Sequence, residues 1–315
     1  MGKIAFVFPG QGSQTVGMGK SLADQHEDIR AMLDQADEKL GYSLTDIMFN
    51  GPDEQLTLTT NAQPALLATS MAVLRRFETV GIVPDFTAGH SLGEYTALAA
   101  AGAITFEKAV VAVHQRGKLM EEAVPAGLGA MAAVLGMDRD SLEEVMKEIS
   151  NSGAVVAAAN FNCPGQIVIS GSKEGVEKAS ERLKEKGAKR VIPLNVSGPF
   201  HSPLMKPAAE KLRAVLDAAN IQASKVPVMA NIDAKPVTDA EMIKENLVRQ
   251  LYSPVLWEDS VNALLNEGVD TFIEIGSGTV LSGLIKKVNR RVRTFAVSDE
   301  ESIMKTAAAL KEETK

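Results

Sequence analysis

Five consecutive residues, Gly89-His90-Ser91-Leu92-Gly93, form a G-x-S-x-G pentapeptide. The apolar run Phe86, Thr87, Ala88 precedes it, and a helix-forming run from Glu94 to Ala101, closed by Gly102, follows. Strand, sharp turn and helix in that order turn such a serine into a nucleophile held at the top of a sheet. The two glycines allow a turn in which a Cβ would clash. The first amide of the helix, on Leu92, then points near the serine oxygen. It can stabilise an oxyanion, helped by the positive end of the helix dipole. A glycine-rich strand–helix turn with an incidental serine is the other reading of the same residues.

A serine nucleophile needs a base, and the chain has four histidines, His26, His90, His114 and His201. His26 sits in a polar helical stretch and reads as solvated. His90 adjoins Ser91, so its side chain leaves the turn in another direction. His114 lies in a helix and reads as an ordinary packed residue. His201 lies in the irregular segment Ser197-Gly198-Pro199-Phe200-His201-Ser202-Pro203, where flanking prolines fix the backbone. Such a loop can hold an imidazole over a site as a general base. It can equally be a hinge residue capping the next helix.

Two further features could serve that chemistry. The loop Gly10-Gln11-Gly12-Ser13-Gln14 follows an apolar run and offers free main-chain amides, a second oxyanion donor among them. It is neither a dinucleotide fingerprint nor a P-loop. The first needs glycine where Thr15 stands, the second where Gln14 stands. Arg116 follows the apolar run Ala109 to Val113, which predicts a partly buried guanidinium in need of an anion. A substrate carboxylate and a carboxylate of the protein itself both remain open as that anion.

The elements around these residues indicate an α/β fold. Lys3–Phe8 and Thr271–Ile275 read as buried strands, Ala62–Val80 as a helix, and Gly276-Ser277-Gly278 as a turn into a helix from Val280. Between them the order changes. Strands are predicted at Ala130–Leu135, Val155–Ala159, Gln166–Ser170 and Val191–Val196, with helices at Ser141–Ser150 and Gly175–Lys186. The turn Asn162-Cys163-Pro164-Gly165 separates the middle strands, and Pro193 marks a sheet edge. This β-α-β-β-α-β order is the ferredoxin-like unit. It predicts a small subdomain at 128–197 inserted into a larger one made of 1–127 and 198–315.

Composition narrows the function classes. The chain has 315 residues, 45% of them hydrophobic, and a net charge of −7, which disfavours nucleic acid as a partner. No apolar stretch approaches the ~18 residues of a membrane span. The start of the chain reads as a first strand rather than a signal peptide. The single cysteine, Cys163, excludes an internal disulfide, and scattered histidines give no metal pattern. A cytoplasmic protein is expected, acting as a monomer and without a metal.

Taken in order, several stretches resemble the malonyl-CoA:acyl-carrier-protein transacylase family. They are Phe8-Pro9-Gly10-Gln11-Gly12-Ser13-Gln14, Gln63-Pro64, Gly89-His90-Ser91-Leu92-Gly93-Glu94, Gln115-Arg116-Gly117, Asn162 to Gly171, Phe200-His201, and Gln250-Leu251-Tyr252-Ser253-Pro254-Val255. The resemblance implies an α/β-hydrolase-like core with a ferredoxin-like insert. It implies a malonyl-serine ester on Ser91, with His201 as base and then acid. The amides of Gln11 and Leu92 become the oxyanion hole, and Arg116 the clamp for the malonyl carboxylate. His201 is oriented by the main-chain carbonyl at Gln250. Gln63 and Gln166 line the pocket, Glu94 packs beneath the nucleophile turn, and Phe200 resembles the malonyl-selective form of its motif.

No cofactor is implied. The partners are malonyl-CoA and an acidic acyl carrier protein, for which Lys286, Lys287, Arg290 and Arg291, with Arg293, form the densest basic patch. Lys184, Lys186, Lys189 and Arg190 form a second. Two rivals remain at this stage: a serine esterase or thioesterase, and an inactive scaffold that only binds carrier proteins. The esterase is disfavoured because more than a hundred residues follow His201.

Overall fold

The computed structural model describes residues 2–125, 127–196 and 198–312. Ala126 and Ser197, at the two expected subdomain boundaries, lie outside the described residues. The chain starts on β1 (Lys3–Phe8) and reaches β2 (Phe86–Gly89) through a helical layer that ends in the Thr59–Glu78 helix. It then forms β3 (Gly129–Leu135), β4 (Val156–Cys163), β5 (Gln166–Ser172) and β6 (Arg190–Pro193) as a separate sheet. It returns with β7 (Val228–Met229), β8 (Pro236–Val237), β9 (Val269–Ile275) and β10 (Arg293–Val297).

The large sheet has the order β10-β9-β1-β2-β7-β8 and is parallel except for the β7–β8 pair. β1 and β9 sit inside it with both faces covered, which suits the apolar run of β1; in β9 the buried Glu274 interrupts the run and accepts from the amides of Leu281 and Ser282. Phe8 is paired with Gly89, so the loops that leave β1 and β2 begin side by side. Residues near Gln11 and Ser91 therefore meet at the carboxyl ends of adjacent strands, where open α/β sheets build their sites.

The small sheet has the order β4-β5-β3-β6, antiparallel throughout, with helices Arg139–Asn151 and Lys173–Glu185 packed on it. This is the ferredoxin-like arrangement. β6 lies at the edge, as Pro193 requires, and it stops there, three residues short of the expected Val196. Leu194 N–H still bonds to Met131 O on β3 at 2.9 Å, but the ladder ends there, and Leu194 to Val196 line the site instead. β4 runs through Cys163, so the hairpin turn is only Pro164-Gly165. Val255 bonds to β4 through Ala159 O and Phe161 N, which ties the two sheets together. No described helix is long and apolar enough to cross a membrane.

Candidate active site

The turn after β2 is held by close approach. A Cβ on Gly89 would come within 1.9 Å of Gly93, and one on Gly93 within 2.1 Å of Phe8 O. Ser91 itself has φ 53° and ψ −103°, a strained conformation that lifts its side chain out of the turn. Asn231 clamps the turn from below. Its Oδ1 accepts from Ser91 N–H at 2.8 Å, and its Nδ2 donates to Gly89 O at 2.7 Å. Glu94 Oε2 in turn accepts from Asn231 N–H and from Gln250 Nε2.

Ser91 Oγ lies 2.8 Å from His201 Nε2. His201 is also at positive φ, 58°, and its Nδ1 is 2.8 Å from the carbonyl oxygen of Gln250. A carbonyl only accepts, so Nδ1 carries the proton and Nε2 is the acceptor facing Ser91. Burial and the nearby Arg116 hold the imidazole down to about 3. It is therefore a neutral, unprotonated acceptor at ordinary pH.

Arg116 is fully buried, more than the expected partial burial. Its Nη1 donates to Gln63 Oε1 at 2.8 Å. Its Nη2 donates to Gln250 Oε1 at 3.0 Å and to Ser91 Oγ at 3.1 Å. The phenol of Tyr95 stacks near it, 5.4 Å from ring centroid to guanidinium carbon. Among the described residues no hydrogen bond of the guanidinium goes to a carboxylate, which counts against the salt-bridge reading. A buried cation without a formal counter-charge at bonding distance among the described residues faces Ser91 Oγ.

These groups open onto a cavity of about 300 Å³ lined by Gln11, Ser91, Met120, Asn160, Phe200 and His201, among others. A larger, more open groove of about 910 Å³ runs along Val111, Ala112, Ala214 and Ala218. Its charged lining residues, Glu38, Lys39, Glu107 and Lys108, are not buried, and neither Ser91 nor His201 borders it.

The geometry has counterparts among known proteins. Residues 5–309 match the acyl transferase domain family. The chain is 61% identical over 313 residues to the malonyl CoA-acyl carrier protein transacylase of Bacillus subtilis (strain 168), covering 99% of each. The chain belongs to the malonyl-CoA:acyl-carrier-protein transacylase family. The crystal structure of that transacylase from Clostridium perfringens superposes with a TM-score of 0.95 at 42% identity, covering 99% of this chain and 98% of that one. A malonyl-transacylase solved in complex with its type II PKS acyl-carrier protein gives 0.94 at 45% identity, covering 98% and 99%.

Within this family fold, several expectations need correction. Gln166 does not line the cavity. It lies at the hairpin end of β5, where its Oε1 accepts from Lys287 Nζ at 3.1 Å. Gln63 sits behind Arg116, bonded to it and to Met120 Sδ, and so holds the clamp rather than lining the cavity. His26 is not simply solvated, since its Nε2 lies 3.3 Å from Glu300 Oε2. His114 has a structural role. Pro64 lacks an N–H, which leaves the Thr60 carbonyl without a helical donor, and His114 Nδ1 takes it at 3.0 Å.

Asn231 carries no sequence pattern that would single it out. His90 Nε2 donates to Asn162 Oδ1 at 2.8 Å, which turns that imidazole away from Ser91.

Proposed function

We propose that this chain moves a malonyl group from malonyl-CoA to the phosphopantetheine thiol of an acyl carrier protein, through an ester on Ser91. One observation carries the reading: the fully buried Arg116, bonded to no carboxylate, has Nη2 3.1 Å from the nucleophile oxygen. A guanidinium there fits an acyl group that ends in its own carboxylate. An esterase has no use for it, and an inactive scaffold has no use for the Ser91–His201 pair.

The steps follow from the bond directions. Ser91 Oγ gives its proton to His201 Nε2 and attacks the thioester carbon. The carbonyl oxygen becomes an oxyanion, met by the amides of Gln11 and Leu92. Collapse breaks the C–S bond, and the imidazolium returns the proton to the leaving thiolate of coenzyme A. The carrier thiol then gives its proton to His201 and attacks the ester carbon. Ser91 Oγ leaves and takes the proton back. Gln250 O keeps the proton on Nδ1 throughout and steadies the imidazolium. Arg116 also matters to the base. Its charge helps depress His201 and so keeps the imidazole a neutral acceptor.

The carrier protein docks on the basic surface at Lys286, Lys287, Arg290 and Arg291 in this reading. Two of the four have internal duties. Lys286 Nζ donates to Val292 O at 2.5 Å, and Lys287 Nζ to Gln166. The exposed Arg290 and Arg291 are thus the better placed cations. Incubation with malonyl-CoA, with and without carrier protein, tests the function. Malonyl-carrier with little free malonate is expected, and free malonate as the main product in both cases means a hydrolase.

A further inference from the structure

The buried carboxyl of Glu94 takes no part in these steps. Glu94 is 2% exposed. Its Oε2 accepts from Asn231 N–H at 3.1 Å and from Gln250 Nε2 at 2.8 Å. The same Gln250 amide accepts on its Oε1 from Arg116 Nη2 at 3.0 Å. A single side-chain amide therefore stands between a buried carboxylate and a buried guanidinium. In a dry interior each of these charges is costly alone, and each steadies the other. Asp233 faces Glu94 from the loop after β7 and opposes its ionisation. Tyr95 is its neighbour along the helix, and His201 hangs from the main chain of Gln250.

The acyl group proposed above brings a second carboxylate to Arg116. Two carboxylates that share one buried cation do not both stay ionised without penalty. We propose that Glu94 is the resting counter-charge of Arg116, and that it takes up a proton from solvent when the carboxylate of the acyl group lands on that arginine. The proposal rests on the malonyl reading of the site. The bonding pattern suits it. Both hydrogen bonds of Glu94 fall on Oε2, so a proton on Oε1 disturbs neither. Burial already holds this carboxyl up at about 7, so a modest added field is enough to protonate it. Glu94 is in this view a positioning residue that acts through Gln250.

Malonyl loading then consumes a proton that acetyl loading does not. The full-length chain is mixed with malonyl-CoA or acetyl-CoA in weakly buffered solution at pH about 8 with an indicator dye, and esters are counted by intact mass. Release of coenzyme A is common to both reactions, so the difference isolates the carboxylate. The expected result is about half a proton or more per malonyl ester beyond that per acetyl ester, falling to none in Glu94→Gln. Glutamine keeps an acceptor oxygen for both bonds. Equal proton counts for the two esters in the wild-type chain overturn the proposal, whatever the variant does, and leave the malonyl reading standing. Failure to form any malonyl ester overturns that reading and this proposal together.

Discussion

At the scale of single residues, the site is a set of constraints on where protons sit. His201 is a free base because burial and Arg116 push it down to about 3. Its folded value lies below the ordinary histidine range, so protonation begins only at strongly acid pH. The acid limb of Ser91 acylation in the free enzyme is therefore expected well below pH ~6.5, the ordinary histidine value. A stopped-flow pH series with malonyl-CoA checks it, and a limb at the ordinary value would show an exposed, unperturbed imidazole.

Arg116→Ala strands the substrate carboxylate in a dry site. Malonyl transfer should fall by about 2–5 kcal/mol, about 30- to 5,000-fold, and acetyl transfer much less. Equal losses would make the arginine a packing residue. Ser91 and His201 stand out as candidates in the sequence because each sits in a local pattern, an elbow and a proline-fixed loop, whereas the pattern marks Arg116 only as a buried cation and its proposed role comes from the family resemblance. Asn231 does not stand out, since its importance comes from Gly89 and Ser91, some 140 residues away in the chain. Gln166 was misjudged for the opposite reason. It belongs to a run of family-like residues, yet the strand carries it past the cavity to the hairpin end.

At the scale of elements, the β2 turn and its helix form the rigid support. Gly93→Ala pushes a methyl group into the Phe8 carbonyl at 2.1 Å, and that backbone has no side-chain freedom to swing away, so β1 and the helix cannot keep their spacing. Little folded protein is expected, with loss of the cooperative thermal transition as the readout. Glu94 ties that helix to Gln250 and makes its hold depend on pH. Its folded value is raised to about 7 by burial, above the ordinary value of 4.5. Its contribution is then fully present below about 4.5 and is lost as pH rises through about 7, by up to about 3 kcal/mol. Denaturant titrations of Glu94→Gln should lack that decline, and a parallel decline in the variant would assign it to other groups.

Elements with a long periodic pattern are legible in the sequence. The ferredoxin-like insert followed from two amphipathic helices and a Pro-Gly turn. Element ends are less legible, because capping bonds leave little pattern. The helix expected from Ala62 starts at Thr59, where Leu58 O accepts from Ala62 N–H before the apolar face begins.

At the scale of the whole molecule, two sheets meet over one cavity. The segment 250–255 supplies the orienting carbonyl, the amide between Arg116 and Glu94, and the bond to β4. Movement between the sheets would disturb base and clamp together. The carrier protein approaches a chain of net charge −7, so attraction must be local. Reversing Arg290 and Arg291 to glutamate should slow transfer to carrier protein and flatten its salt dependence, while acylation by malonyl-CoA changes little. Unchanged carrier kinetics across a salt series would move docking elsewhere.

The most direct test of the account isolates its covalent intermediate. The chain is loaded with malonyl-CoA, freed of coenzyme A, weighed intact, and then given carrier protein bearing its thiol. One malonyl group on Ser91, absent from Ser91→Ala and passed intact to the carrier thiol, is the predicted result. An adduct that persists in Ser91→Ala, or an ester that yields free malonate in place of malonyl-carrier, would contradict it.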